Sequence, residues 1–154
     1  MRLLSLLPLP VLYALLAPVA GLLLLAGWRR ELVRDGLARC LPEHDPDSRR
    51  RIARDFYRWL GQMVAEVVHG ARITPADLEA RMRFEGDDAV RTALAAGRRV
   101  LLLTGHHGNW EWLLLRCSTA FDAPLVAAYN PASRGRADRW LLDLRRRLGA
   151  TMVP

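Results

Sequence analysis

The chain has 154 residues, with 23 basic side chains against 16 acidic ones and a formal charge of +7 at neutral pH. This length allows one domain, or one domain plus an anchor. The positive balance favours anionic partners such as phosphate-bearing lipid headgroups or an acidic carrier protein. Nucleic acid is a weak third choice, because there is neither an aromatic-plus-glycine RNA-binding motif nor zinc-finger spacing. Every basic residue is arginine, a skew that a GC-rich coding sequence explains. The two cysteines, Cys40 and Cys117, are far apart and form no CxxC pair. They fit a reducing compartment and read as buried small apolar residues.

From Leu3 to Trp28 there is no charged side chain, a run of about 26 residues against the ~20 needed to cross the hydrocarbon core. Pro8, Pro10 and Pro18 break helices in water but are tolerated in a membrane, where they leave room for a bent segment. The reading is a membrane anchor over residues 1–28. A cleaved signal peptide is the rival, and the apolar part is long for one. Arg29, Arg30, Arg34 and Arg39 follow the segment, whereas only Arg2 precedes it, so the positive-inside tendency places the body of the protein in the cytoplasm. Residues 29–42 form a basic amphipathic connection that Pro42 ends. Asp45-Pro46 then opens a long helix, in which Ile52, Phe56, Leu60, Met63 and Val67 mark the expected buried face. Arg49, Arg50, Arg51, Arg54 and Arg58 crowd its first half and form either a solvated face or a headgroup contact.

Thr74-Pro75 is a second capped helix start. Met82-Arg83-Phe84 reads as a short strand, followed by a helix through Ala89, Val90, Ala93 and Leu94 that Gly97 closes. Val100 to Thr104 is uniformly apolar and is expected to be a strand buried on both faces. A helix runs from Asn109 or Trp110 to about Ala120. Leu125 to Tyr129 is a strand, Asp138 to Leu148 a basic helix, and Thr151-Met152-Val153 the start of another strand. This alternation predicts an α/β domain with a parallel sheet. The pattern stops at Pro154 with few strands and open sheet edges, as a truncated protein would.

His106-His107-Gly108-Asn109-Trp110-Glu111 follows the apolar run directly. His106 falls where open α/β sheets place ligands, at the carboxyl end of a strand. Gly108 permits a tight turn, Asn109 can cap the next helix, and Glu111 in its first turn can hold an imidazole N–H. A carboxylate so placed fixes the tautomer and leaves the other nitrogen to take a proton from an alcohol. His107 points elsewhere and reads as a helix-entry residue. The spacing lacks the i, i+4 histidine pair of helix-borne zinc sites, so no metal is expected. His44 and His69 read as surface or helix-end residues.

Leu101 to Glu111 resembles the His-x4-Glu block of the late lipid A biosynthesis acyltransferases, the lauroyl/myristoyl transferase family. The likeness extends to the amino-terminal anchor, Leu41-Pro42-Glu43, Phe84-Glu85-Gly86, Ala93 to Arg98, Tyr129-Asn130-Pro131 and Arg145 to Gly149. It implies a glycerol-phosphate-acyltransferase-like α/β domain, present here as its amino-terminal half. It also implies acyl transfer from an acyl carrier protein, or from acyl-CoA, to a hydroxyl of a lipid A precursor at the cytoplasmic face of the bacterial inner membrane. By the same resemblance His106 is the general base, Glu111 orients it, and Arg145 and Arg147 lie near the substrate or the developing oxyanion. Asn109 joins them as an expected substrate-binding residue. Arg134, Arg136, Arg139 and Arg146 are candidates to dock the acidic carrier or anionic lipid, and no cofactor beyond the acyl donor is implied. Where the family has Tyr-Arg-Pro, this chain has Tyr129-Asn130-Pro131, which removes one substrate cation.

The expected organisation is an anchor over 1–28, a helical membrane-proximal region over 29–73 and a partial α/β acyltransferase domain over 74–154. Two other functions fit the same residues. One is an acyltransferase for a phospholipid or another glycolipid. The other is a non-catalytic, membrane-anchored protein that binds carrier protein or anionic lipid.

Overall fold

The computed structural model describes residues 3–130 and 135–154. The chain divides into two compact units, Met1–His69 and Gly70–Pro154. In the first, a 3-10 turn at Leu4–Leu6 leads into α1 (Leu9–Leu25), α2 (Arg30–Cys40) and α3 (Pro46–Gly70). Pro8 caps α1 and Pro10 occupies its first turn, where a missing N–H costs nothing, while Pro18 sits inside the helix. At 1.5 Å per residue, the 17 residues of α1 are about 25 Å long, short of a ~30 Å hydrocarbon core.

Gly27, at φ 69°, ends α1, with the Trp28 N–H reaching back to the Leu23 carbonyl at 3.0 Å. This is the usual left-handed glycine stop. Arg29 is also left-handed, at φ 52°, and α2 departs at 84° to α1. Among the described residues no single helix is long and apolar enough to cross a membrane; α1 and α2 meet that standard only as a bent pair, by length and composition.

α3 runs antiparallel to α1. The Tyr13 hydroxyl donates to Glu66 Oε1 at 2.8 Å, a Cβ on Gly61 would lie 2.8 Å from the Ala20 Cβ, and the Tyr57 hydroxyl donates to the Trp28 carbonyl at 2.5 Å. The buried positions of α3 include Tyr57, Ala65 and Val68, while Phe56 is exposed. The buried stripe is therefore turned by about one residue from the expected Ile52–Phe56–Leu60–Met63–Val67 face. Close approach at Gly61 and a hydroxyl anchor at Tyr57 set the rotation, and neither is a large apolar residue. Asp45 caps α3 through the N–H groups of Asp47 and Ser48, at 2.8 and 2.9 Å. Cys40 is exposed, contrary to the expectation of burial, because α2 buries no residue; Cys117 is buried.

The second unit holds α4 (Pro75–Arg81), α5 (Asp88–Ala95), α6 (Trp110–Ala120), β1 (Val126–Ala128), α7 (Arg136–Arg146) and β2 (Thr151–Val153). β1 and β2 pair in parallel, with Val126 opposite Thr151 and Ala128 opposite Val153. A parallel pair needs a crossover, and α7 supplies it. Ile73, Leu78, Trp112, Leu115, Leu144 and Met152 form the core. Thr74 caps α4 as its position predicts, accepting from the Asp77 N–H at 3.1 Å. Gly97, at φ 69°, closes α5.

The architecture is thus largely helical, with a small parallel sheet of two strands among the described residues. Two expected strands do not form. Val100–Thr104 is irregular, and Leu101 and Leu103 are 83% and 87% exposed rather than buried. Apolar character favours a buried strand, but a strand exists only with a ladder partner, and this segment has none among the described residues. At Met82–Phe84 the Met82 carbonyl accepts from Arg116 Nε at 3.2 Å instead.

Candidate active site

Gly108, at φ 65°, turns the chain from the irregular 100–107 segment into α6. Asn109 caps that helix, its side-chain oxygen accepting from the Trp112 N–H at 3.0 Å. Capping fixes the direction in which the first turn projects Trp110 and Glu111. Glu111 is only 4% exposed, and a buried carboxylate requires partners. They come from 34 residues away. Arg145 Nε donates to Oε2 at 2.8 Å and Nη2 to Oε1 at 2.5 Å, the forked geometry that guanidinium and carboxylate share. The Trp110 indole N–H adds a third bond, to Oε1 at 3.2 Å. The hydrogen bond to Glu111, with the charges of Glu111, Asp138 and Tyr129, raises the Arg145 pKa above its ordinary value against the opposing effect of burial. Arg145 is therefore a permanent cation.

His106 is exposed, and its ring packs on Trp110 with centroids 4.7 Å apart, tilted by 57°. Among the described residues no hydrogen bond joins His106 to Glu111. Trp110 contacts both, the imidazole through its ring and the carboxylate through its N–H. Glu111 still has acceptor capacity, since a carboxylate offers about four sites and three are used.

His106, Trp110, Glu111 and Arg145 border one cavity of about 1180 Å³ in the second unit. Most of the remaining lining is apolar, including Leu94, Leu113, Leu114, Cys117 and Phe121. Cys117 is buried in that wall, and burial raises its thiol pKa, away from the thiolate that a nucleophile needs. Arg147 is held differently. It donates to the Ile73 carbonyl and does not border this cavity, and burial lowers its pKa. His107 and His44 are exposed, with His44 beside Glu43 at 3.7 Å. Among the described residues no three His, Cys, Asp or Glu side chains are grouped to hold a metal ion. Pro131 and Arg134 lie outside the described residues.

The structure thus brings His106, Glu111 and Arg145 to one cavity, uses Asn109 as a helix cap, and engages Arg147 elsewhere. Sequence reasoning missed Trp110. Its place between the histidine and the glutamate within the motif was the available signal.

A large, mostly apolar cavity with a solvent-facing imidazole and a carboxylate–guanidinium pair on its wall suits an enzyme site. Residues 1–154 match the family described as "Bacterial lipid A biosynthesis acyltransferase". The chain belongs to that family, and it is an acyltransferase. No curated protein and no solved structure matches it.

Proposed function

We propose that the chain transfers a fatty acyl group from an acyl carrier protein thioester to a hydroxyl of a lipid A precursor, at the cytoplasmic face of the bacterial inner membrane. The observation that carries this reading is the shared cavity, lined mostly by apolar side chains and bordered by His106 and the Glu111–Arg145 pair. The acyl chain lies in the apolar part with its thioester carbonyl at the polar edge. His106 removes the proton of the acceptor hydroxyl as its oxygen attacks that carbonyl. The C–O bond forms, the tetrahedral intermediate collapses, and the C–S bond breaks. The thiolate leaves with the proton that His106 took. Glu111 takes two of the five N–H donors of Arg145, and the others are available to the developing oxyanion. Asn109 acts by orienting α6, and Trp110 by seating the imidazole.

Membrane attachment is part of the same reading. Val11, Leu15, Val19 and Leu22 form an exposed stripe along α1 at helical spacing, between 42% and 64% accessible. Trp28 follows at the bend, with the Arg29 guanidinium 5.2 Å from its ring centroid, a combination suited to the headgroup level. Arg136, Arg139 and Arg146 on α7 supply positive charge for the acidic carrier.

The test is acyl transfer by the detergent-purified chain, supplied with an acyl carrier protein thioester and a lipid A precursor. His106→Ala is expected to lower turnover by about 10²–10⁴-fold while the protein still sediments with membranes. Unchanged turnover sinks the catalytic role of His106, and membrane binding that depends only on the arginines leaves a binding function.

A further inference from the structure

We propose that the stacked rings of Phe84 and Phe121 are the stop that sets how long an acyl chain the cavity accepts. This rests on the acyl-transfer reading and adds to it the residues that select the donor. Trp110, Leu114, Cys117 and Phe121 all line the cavity. They recur at intervals of three and four, so they lie along one face of α6 and its carboxyl end. That face begins beside the imidazole and ends at the Phe121 ring. At 1.5 Å per residue, the path from residue 110 to 121 is about 16 Å, a length that suits a fatty chain lying along the helix.

At the far end the wall changes character. Phe84 and Phe121 stack nearly parallel, with centroids 5.6 Å apart and planes within 7°. Each ring carries its own guanidinium: Arg116 is 5.5 Å from the Phe84 centroid and Arg91 is 5.3 Å from that of Phe121. Both arginines are themselves fixed. Arg116 donates to the Met82 carbonyl at 3.2 Å and to Glu79 at 3.1 Å. Arg91 donates to Asp87 at 2.9 Å and to the Ala120 carbonyl at 3.2 Å. Leucine walls yield by changing rotamer. A stacked ring pair flanked by two hydrogen-bonded cations resists displacement, because moving either ring separates it from the other and from its cation. A rigid end to an apolar groove is what length discrimination requires, since a chain that is too long has to leave methylenes in water.

A series of wall variants reads this directly. The purified full chain is offered an equimolar mixture of saturated acyl carrier protein thioesters from octanoyl to stearoyl, and products are resolved by mass spectrometry. The parent is expected to disfavour a chain one step beyond its optimum by about tenfold or more. Phe121→Ala and Phe84→Ala shift the optimum to longer chains. Cys117→Phe places a ring four residues nearer the imidazole, about 6 Å along the helix. With C–C bonds of about 1.5 Å, an extended chain advances about 1.3 Å per carbon, so the optimum shortens by roughly four to five carbons. Phe121→Leu and Phe121→Trp accompany the alanine variants, with small shifts to longer and to shorter chains. Opposite shifts from one position cannot arise from misfolding.

Active variants that all keep the parent profile overturn the stop and leave the acyl-transfer reading standing. A parent chain that transfers none of the thioesters overturns that reading and the stop with it.

Discussion

Replacing Arg145 by methionine keeps its hydrocarbon stem and deletes the guanidinium. Glu111, almost wholly buried, then keeps only the Trp110 indole N–H of its three donors. Breaking a buried ion pair from one side costs about 3–5 kcal/mol, because the surviving charge stays buried without compensation. The Arg145 side chain is 19% exposed, so water screens part of the pair and the lower end, about 3 kcal/mol, is expected. For a chain of this size that lowers Tm by roughly 6–12 °C. Glu111→Gln is milder, since the released guanidinium is on the more exposed side. The double variant Glu111→Gln/Arg145→Met recovers most of the loss, because no unpaired charge remains. Thermal unfolding in detergent, followed by tryptophan fluorescence, reports on the pair through Trp110 and Trp112 on either side of Glu111. An Arg145→Met Tm within about 2 °C of the parent, or a double variant no more stable than Arg145→Met, would refute the reasoning.

Three further outcomes follow from the geometry. His106→Ala leaves stability within about ±0.5 kcal/mol, as an exposed side chain should, while acyl transfer falls; the same Tm measurement beside a turnover assay checks both. Gly61→Val places a Cβ 2.8 Å from Ala20 and 3.3 Å from the Leu16 carbonyl, and overpacking of this kind destabilises by about 1–3 kcal/mol; a smaller change in denaturant midpoint shows that α1 and α3 are not tightly apposed. Hydrogen bonds from the Ser48 hydroxyl and backbone lower the Asp45 pKa from 3.8 to about 2. A carboxyl depressed on folding stabilises above its unfolded value, and that contribution is lost as pH falls through the folded one. Helicity should therefore decline from about pH 4 to 2 in the parent, and Asp45→Asn should remove that component of the decline.

Several elements were legible because their ends carry local chemistry. Asp45-Pro46, Thr74-Pro75 and Asn109 each cap the helix that they were expected to open, and Gly97 closes α5 with the positive φ that glycine tolerates. The Val100–Thr104 run was misread because apolar side chains report a preference for burial, whereas a ladder depends on a partner that the run does not encode. The face of α3 was misplaced for a related reason. Large apolar residues advertise themselves in a periodic pattern, but Gly61 packs closest by having no side chain. In the site, His106 and Glu111 were visible as one short motif. Their environment was not, since the pairing of Glu111 with Arg145 spans 34 residues and follows from the folded unit rather than from either segment.

The corner between α1 and α2 falls where the composition of the chain changes. From Leu3 to Trp28 no residue is charged, whereas every turn of α2 carries charge. Were the two helices collinear, the apolar and the charged residues would follow one another along a single axis. Turning through 84° separates them, so the apolar helix and the charged one present their surfaces in different directions. The left-handed backbone at Arg29, at φ 52°, is unfavourable for a side-chain-bearing residue by about 1–2 kcal/mol. The hydrogen bond from the Tyr57 hydroxyl to the Trp28 carbonyl, at 2.5 Å, lies next to that residue and ties the corner to α3.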